Sequence, residues 1–240
     1  MCLVGKTVLF LRERVPRFGF LSFINFKTKM PSIKTLTPIL GGNYYHIFNR
    51  GSNRKNIFYS AANYDYFLRL LDQFLKGYVH FLAYVLLPNH FHLVIKVKDE
   101  VTESGKGNRS LQEENGSLSA DLEIGKLVVR QLKRLFITYA MAINKQENRT
   151  GNLFDPKYKR LEIKDQDYLE FVIFYTHLNP EKHGITRNFR NYRYSSFQAI
   201  TESGRTNIDR KLVLDIYGGK KSFIDYHNGW HEERVNIILE

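Results

Sequence analysis

The chain has 240 residues, of which 43% are hydrophobic and 14% aromatic, a composition that supplies a folded core and excludes disorder over most of its length. Its 36 Lys and Arg outnumber 24 Asp and Glu, and the resulting net charge of +12 favours an anionic partner, either nucleic acid or a membrane surface. No apolar run approaches the roughly 20 residues of a membrane-spanning helix, and the single cysteine excludes an internal disulfide, so we expect a cytoplasmic protein with no membrane partner.

Residues 1–29 form a basic and apolar N-terminal extension that precedes every recognisable element. Charged residues interrupt each stretch that could serve as a signal-peptide core. Two interpretations stay open: an over-long gene start, or an additional basic arm that contacts nucleic acid. We expect one domain at 30–200 with a mobile Gly/Ser/Asn-rich insertion at 98–120, followed by a C-terminal tail at 201–240.

Seven segments carry secondary-structure patterns, which predict four strands and three helices. In chain order they are a strand at 44–48, a helix at 64–76, strands at 79–87 and 90–97, a helix at 122–145, a strand at 161–163, and a helix that begins after Asp165 and ends at Asn179–Pro180. Pro88–Asn89 is a turn signal, so the second and third strands should form a hairpin. This order predicts an α+β fold with helices on one face of a mainly antiparallel sheet, and the ferredoxin-like arrangement is the main candidate.

Two histidines lie two residues apart on the third predicted strand, in the segment Pro88-Asn89-His90-Phe91-His92. Alternate side chains of a strand point to the same face, so His90 and His92 should project together while Phe91 packs on the opposite face. Paired imidazoles on a rigid strand suit a divalent metal ion. The alternative is a pair of histidines with only a structural role.

A tyrosine and an asparagine share one face at the end of the last predicted helix. Tyr175 and Asn179 are four residues apart and therefore point to the same side of the helix. A tyrosine beside a metal ion is suited to act as a covalent nucleophile. Because the chain has 15 tyrosines, a packing role for Tyr175 is the alternative.

Basic residues alternate with aromatic residues at three places. These groups are Arg50, Arg54 and Lys55; Lys157, Lys159 and Arg160 around Tyr158; and Arg187, Arg190 and Arg193. Cations neutralise phosphates and aromatic rings stack on unpaired bases, whereas a solvated basic surface is the alternative for each group. With the charge of +12, the pattern favours nucleic acid, and the candidate DNA-binding residues are Arg50, Arg54, Lys55, Lys159 and Arg160.

Taken together, these segments resemble the REP-associated branch of the single-tyrosine HUH transposases. The resemblance is carried by residues 45–51 (YHIFNRG), 57–58, 82–84 and 88–93 (PNHFHL), 151–154, 158–159 and 175–180 (YTHLNP), and it covers about 43–200. It implies a ferredoxin-like fold, with His90, His92 and Asn179 as ligands of a divalent ion, Mg²⁺ or Mn²⁺, and Tyr175 as the nucleophile. Arg50 matches a family position near the nucleic acid. Asp155 and Pro156 depart from the more polar pair that is usual in the family.

The resemblance implies a DNA strand transferase that binds hairpin single-stranded DNA. Tyr175 would cleave the strand to give a 5′-phosphotyrosine, and a second 3′-hydroxyl would rejoin it. A homodimer is one assembly that the resemblance allows. Two other functions stay open: a non-catalytic single-stranded nucleic-acid-binding protein with the same fold, and a metal-dependent hydrolase that uses bound water.

Overall fold

An antiparallel four-stranded sheet forms the centre of the protein. The computed structural model describes residues 37–100 and 117–239, and its strands are β1 (Tyr44–Arg50), β2 (Val79–Leu87), β3 (His90–Val97) and β4 (Lys159–Ile163). They lie in the order β2-β3-β1-β4, and every neighbouring pair is antiparallel. This is the order of the ferredoxin-like fold, and the predicted α+β class is confirmed. The extension at 1–29 and residues 101–116 of the predicted insertion lie outside the described residues.

Six α-helices surround the sheet in the described part of the chain. They are α1 (Ala61–Leu75), α2 (Ser117–Gln146), α3 (Gln166–Lys182), α4 (Phe197–Thr201), α5 (Arg210–Tyr217) and α6 (Lys220–Leu239), with short 3₁₀ helices at Ser52–Arg54 and Phe189–Asn191. The C-terminal end of the predicted insertion, from residue 117, is the first turn of α2. No helix of the described residues combines the length and the apolar character that crossing a membrane requires.

The hairpin that places the histidines forms where the sequence predicts it. Leu87 pairs with His90 across the Pro88–Asn89 turn, and the pairing continues to Val79 and Val97. The first residues of β3 therefore lie at the turn end of the sheet. β1 flanks β3 on its other side, with Phe48 opposite His92 and Arg50 opposite His90.

The helices α1 and α2 cover the face of the sheet opposite the histidines. Phe91, which is fully buried, contacts Phe67 of α1 and Phe136 of α2 with ring centroids 5.1 and 5.6 Å apart. Tyr139 of α2 closes this layer, because its hydroxyl donates a hydrogen bond to the carbonyl of Ile57 at 2.8 Å. Phe91 and His92 thus point to opposite faces, as strand alternation requires.

Helix α3 covers the other face, so helices lie on both sides of the sheet and not on one side only. The sequence reasoning placed all helices on one face, which holds for α1 and α2. Val85 and Leu87 of β2, which pair with the two histidines, are apolar and fully buried, and an apolar second face needs a cover. Helix α3 packs on β2 and β3 and supplies it.

The ends of α3 follow local hydrogen-bonding rules. Asp165 caps the start as predicted, since its carboxylate accepts the Tyr168 N–H at 2.8 Å. The predicted end at Asn179–Pro180 is wrong, because the helix continues through Pro180 to Lys182. Pro180 has no N–H for the carbonyl of Thr176, and the Asn179 side-chain amide donates to that carbonyl at 3.5 Å and to the carbonyl of Tyr175 at 2.7 Å. The side chain of Asn179 thus partly replaces the lost backbone donor.

The C-terminal segment folds onto the outer side of α3. Helix α6 presents Phe223, His227 and Trp230, at positions i, i+4 and i+7, to the buried layer. Trp230 contacts Phe174 and Phe171 of α3, with ring centroids 6.2 and 5.4 Å apart. Helix α3 therefore lies between the sheet and the C-terminal helices.

Candidate functional site

His90 and His92 project from the same face of β3, with ring centroids 5.4 Å apart. Their rings are nearly perpendicular, at 81°. Each ring has one nitrogen already engaged by a neighbouring group. Which nitrogen is left decides what the pair can bind.

The ring of His90 is oriented by the turn that precedes it. Its Nδ1 lies 2.7 Å from the side-chain oxygen Oδ1 of Asn89. An amide oxygen only accepts, so His90 Nδ1 carries the proton and donates. The lone pair of His90 is then on Nε2, which is the nitrogen that remains for a ligand.

The ring of His92 is oriented by the neighbouring strand β1. Its Nδ1 lies 2.9 Å from Nε2 of His46, and both residues are buried. Of the two ring nitrogens of His92, Nε2 is therefore the one that has no protein partner. Burial lowers the pKa of His90 to about 4 and holds the pKa of His92 well below its usual value, and neighbouring positive charges add to both effects. Both rings are thus neutral at pH 7, as metal-ligating imidazoles must be.

Helix α3 packs beside this pair, and the residues on that side are 175 and 179 together with the cap residue 183, which follows the helix. Tyr175 contacts His92 with ring centroids 6.2 Å apart, and His183 contacts His90 with ring centroids 4.8 Å apart. Asn179 lies one turn from each of these residues, and helical spacing puts it on the same side of the helix. The structure therefore brings His90, His92 and Tyr175 into contact, and Asn179 follows Tyr175 by one turn of the same helix.

Asn179 has one atom committed and one atom free. Its Nδ2 donates to the backbone of α3, while its Oδ1 is buried and has no hydrogen-bond partner. The whole residue is 1% exposed. A buried acceptor without a partner costs about 1–3 kcal/mol, so this oxygen is expected to have a ligand in the working protein.

The donor set fits a divalent ion. Two neutral imidazole nitrogens and one amide oxygen suit Mn²⁺, and the oxygen also suits Mg²⁺, which completes its shell with water and phosphate oxygens. In residues 37–100 and 117–239, no three His, Cys, Asp or Glu side chains are arranged as a metal site. The set proposed here has two histidines and one amide, and its free atoms follow from the hydrogen bonds described above.

A cavity of about 630 Å³ opens beside the histidines. Its lining includes Phe48, which stacks on His92 with ring centroids 5.4 Å apart and planes 20° apart. Of the five candidate DNA-binding residues, three line the cavity and two do not. Arg50, Arg54 and Lys159 belong to the lining, as does Lys157, whereas Lys55 and Arg160 do not. The lining of the cavity beside His90 and His92 is thus basic and includes an aromatic ring.

Arg160 points away from this cavity. It pairs with Ile47 on β1, whose side chain is in the core beneath the sheet, whereas Lys159 pairs with Phe48. The Arg160 guanidinium donates to the Tyr158 hydroxyl at 3.1 Å. Strand alternation explains why two consecutive basic residues lie on opposite faces.

An acidic residue lies within the basic lining. The Asp155 carboxylate accepts a hydrogen bond from Arg50 Nε at 2.7 Å, and both side chains are partly exposed at 30% and 56%. Asp155 is one of the two positions at which the sequence departs from the transposase pattern that it otherwise resembles. The charge that Arg50 offers to a phosphate is therefore partly neutralised in the free protein.

Three residues of the site were not found by sequence reasoning. They are His46 beside His92, His183 beside His90, and Lys182, whose ammonium donates to the Tyr175 hydroxyl at 2.9 Å. Lys182 and His183 follow Tyr175 by seven and eight residues, which is two helical turns. Because the sequence predicts that the helix ends at Pro180, it does not predict that these two residues lie on the same side as Tyr175. His46 is identified only through the register between β1 and β3.

No family model matches the chain, and no curated protein matches it. Among solved structures, the chain is similar to one described as "Structure of the REP associates tyrosine transposase bound to a REP hairpin". The two share 17% sequence identity over 70% of this chain and 84% of that chain, with a TM-score of 0.47.

Proposed function

We propose that this protein binds single-stranded DNA that contains a hairpin, and that it cleaves and rejoins the strand through a covalent bond to Tyr175. The observation that carries the proposal is the set of free donor atoms on β3 and α3. Nε2 of His90, Nε2 of His92 and Oδ1 of Asn179 each lack a protein partner, and Tyr175 lies on the same helix face one turn away. The family resemblance of the segments at 88–93 and 175–180 supports the same chemistry.

His90, His92 and Asn179 would hold one Mg²⁺ or Mn²⁺ ion. When bound, such an ion polarises a phosphate oxygen and stabilises the negative charge that develops during the transfer. The neutral state of both imidazoles, which burial enforces, leaves their lone pairs available at pH 7. The protein thus supplies a fixed set of donors on two rigid elements.

Tyr175 is the proposed nucleophile, and Lys182 holds its oxygen. The Lys182 ammonium lies 2.9 Å from the hydroxyl and 4.6 Å from the ring centroid. Its positive charge stabilises negative charge on the phenol oxygen as the hydroxyl proton leaves to solvent. The oxygen then bonds to phosphorus, the bond from phosphorus to the 3′ oxygen breaks, and that oxygen takes a proton to become a free 3′-hydroxyl. In rejoining, a 3′-hydroxyl attacks the phosphotyrosine and restores the Tyr175 hydroxyl.

The cavity beside the histidines would hold the strand next to the scissile phosphate. Arg50, Arg54 and Lys159 supply cations for the backbone, and the half-buried Phe48 supplies a face for an unpaired base. Lys159 lies 5.9 Å from the Phe48 ring centroid, so cation and aromatic face adjoin. This combination favours an unpaired strand over a duplex, whose bases are already stacked.

Covalent capture tests the proposal directly. Labelled single strands from the flanks of the protein's own gene, incubated with Mn²⁺, should give a protein–DNA adduct that survives denaturing electrophoresis. Tyr175→Phe removes one oxygen and should abolish the adduct while DNA binding persists. Tyr168→Phe, two turns earlier on α3, is the matched control and should form the adduct normally.

Two outcomes would replace the proposal with another function. DNA binding without any adduct, in the wild-type protein with metal present, would favour the non-catalytic binding protein. Cleavage that persists in Tyr175→Phe but is lost in His90→Ala would favour a metal-dependent hydrolase. An adduct that maps to a different tyrosine by mass spectrometry would refute the assignment of the nucleophile.

A further inference from the structure

His46 is a buried histidine of β1 that contacts the proposed metal site without facing the cavity. It is 4% exposed, and its Nε2 lies 2.9 Å from Nδ1 of His92. The two rings stack, with centroids 5.1 Å and planes 23° apart. His46 does not line the cavity that His90 and His92 line, so its contact with the site passes through His92.

The proton between the two rings can have only one position when His92 binds a cation through Nε2. A neutral imidazole carries one proton, and a ligand on Nε2 forces that proton onto Nδ1. His92 Nδ1 must then donate, and His46 Nε2 must accept. If His46 carried its own proton on Nε2, two N–H groups would face each other at 2.9 Å, so the proton of His46 lies on its Nδ1.

His46 is suited to this role by its surroundings. The ring is buried, and the hydrogen bond to His92 lies within the protein and not in solvent. Phe48 packs against both rings, 4.9 Å from His46 and 5.4 Å from His92, and limits their rotation. His46 and Phe48 occupy alternate positions of the same strand, so one strand supplies both the acceptor and the stacking surface.

We propose that His46 is a positioning residue that accepts the Nδ1–H of His92 and so directs the Nε2 lone pair of His92 toward the metal. The inference rests on the proposed function, since it concerns the same metal site. Partners of this kind orient metal-ligating histidines and raise the basicity of the ligating nitrogen. The hydrogen bond also gives a partner to the polar side chain in the buried middle of β1.

Two substitutions separate the hydrogen bond from simple packing. His46→Phe keeps a flat ring and removes the acceptor, whereas His46→Gln can place an amide oxygen near the position of Nε2. Affinity for Mn²⁺ alone, measured by electron paramagnetic resonance without DNA, should fall about 10- to 100-fold in His46→Phe. In His46→Gln it should stay within about threefold of wild type, because the acceptor is retained.

Controls distinguish failure of this inference from failure of the proposed function. His90→Ala removes a proposed ligand, and equal Mn²⁺ affinity in His90→Ala and wild type would refute the metal site itself. His80 lies at the far end of β2, opposite Lys96, so His80→Ala should leave the affinity for Mn²⁺ unchanged. If His90→Ala loses the ion while folded His46→Phe binds it as tightly as wild type, His46 is a packing residue only. Equal losses in His46→Phe and His46→Gln would also refute the role of the hydrogen bond.

A second measurement uses the wild-type protein and therefore does not depend on folding of a variant. In the Mg²⁺-loaded protein labelled with ¹⁵N-histidine, long-range proton–nitrogen spectra report which ring nitrogen carries the proton. The expected result is a proton on Nδ1 of both His92 and His46. A proton on Nε2 of His46 would overturn the proposal.

Discussion

Acidification should destabilise the protein through a buried chain of hydrogen bonds behind α3. His227 Nδ1 donates to the Phe223 carbonyl at 2.8 Å, which leaves its Nε2 to accept from His177 Nδ1 at 2.9 Å. His177 Nε2 then accepts the Ser196 hydroxyl proton at 2.8 Å, and the Ser196 oxygen accepts the Tyr84 N–H at 2.9 Å. A proton added to His227 Nε2 would therefore face the N–H of His177, so a charged His227 loses this hydrogen bond.

The magnitude follows from the His227 pKa. Burial, with a smaller contribution from the charge of Arg190, lowers this pKa from 6.5 to about 3, although the bond to the Phe223 carbonyl opposes the shift. Between these two values the unfolded chain binds a proton that the folded chain does not, so this contribution to stability is complete above pH 6.5 and is lost as the pH falls toward 3. At pH 4.5, about 2 pH units below the unfolded value, the loss is about 3 kcal/mol from His227 alone.

Urea unfolding at pH 7 and pH 4.5 tests this prediction with a matched variant. His227→Gln keeps an acceptor for His177 but has no titratable nitrogen. The free energy of unfolding of wild type should fall between the two pH values by about 3 kcal/mol more than that of the variant. Titrating groups that do not contact His227 contribute to both proteins and cancel in the difference. An equal fall in wild type and variant would refute the reasoning.

Three further predictions concern stability, DNA binding and the chemical step. Gly125→Ala would place a Cβ 1.6 Å from the carbonyl oxygen of Ile39 and should lower the free energy of unfolding by about 1–3 kcal/mol. Gly229→Ala, with no atom within 4 Å of the new Cβ, should raise the free energy of unfolding by about 0.5–1 kcal/mol. Urea titration of both variants checks the two values. Asp155→Asn removes the negative charge of the cavity and should tighten single-stranded DNA binding by about fivefold in fluorescence anisotropy, an effect that shrinks with added salt; unchanged affinity would contradict it. Lys182→Met should slow adduct formation about 100-fold with little change in DNA affinity, and a wild-type rate would show that this ammonium does not assist the nucleophile.

The central sheet could be predicted from sequence because its signals are local. The Pro88–Asn89 turn and the apolar runs on either side define β2 and β3 at 79–87 and 90–97, which are the bounds that the structure has. Asp165 caps α3 in the same local way. The end of α3 was mispredicted because Pro180 normally disfavours a helix, and the compensation by the Asn179 side chain depends on a specific contact.

The C-terminal helices and the partners of the site residues required tertiary information. Helix α6 buries polar and aromatic groups, such as His227 and Trp230, in place of an aliphatic stripe, and its apolar periodicity is therefore weak. His46 and His92 lie 46 positions apart in the sequence and meet only through the register of β1 on β3. His183 and Lys182 depend on a continuation of α3 that the sequence rule argues against.

The three proposed ligands share a feature that ties the chemistry to the register of the sheet. The second polar atom of each is held by a different element: His90 by the turn before β3, His92 by β1, and Asn179 by the backbone of its own helix. A shift of β3 by one residue would turn both histidines into the apolar core and bring Phe91 to the cavity. It would also separate His92 from its partner on β1. The same pairing that buries Phe91 therefore orients the donor atoms, so the proposed site depends on central strands and not on mobile loops.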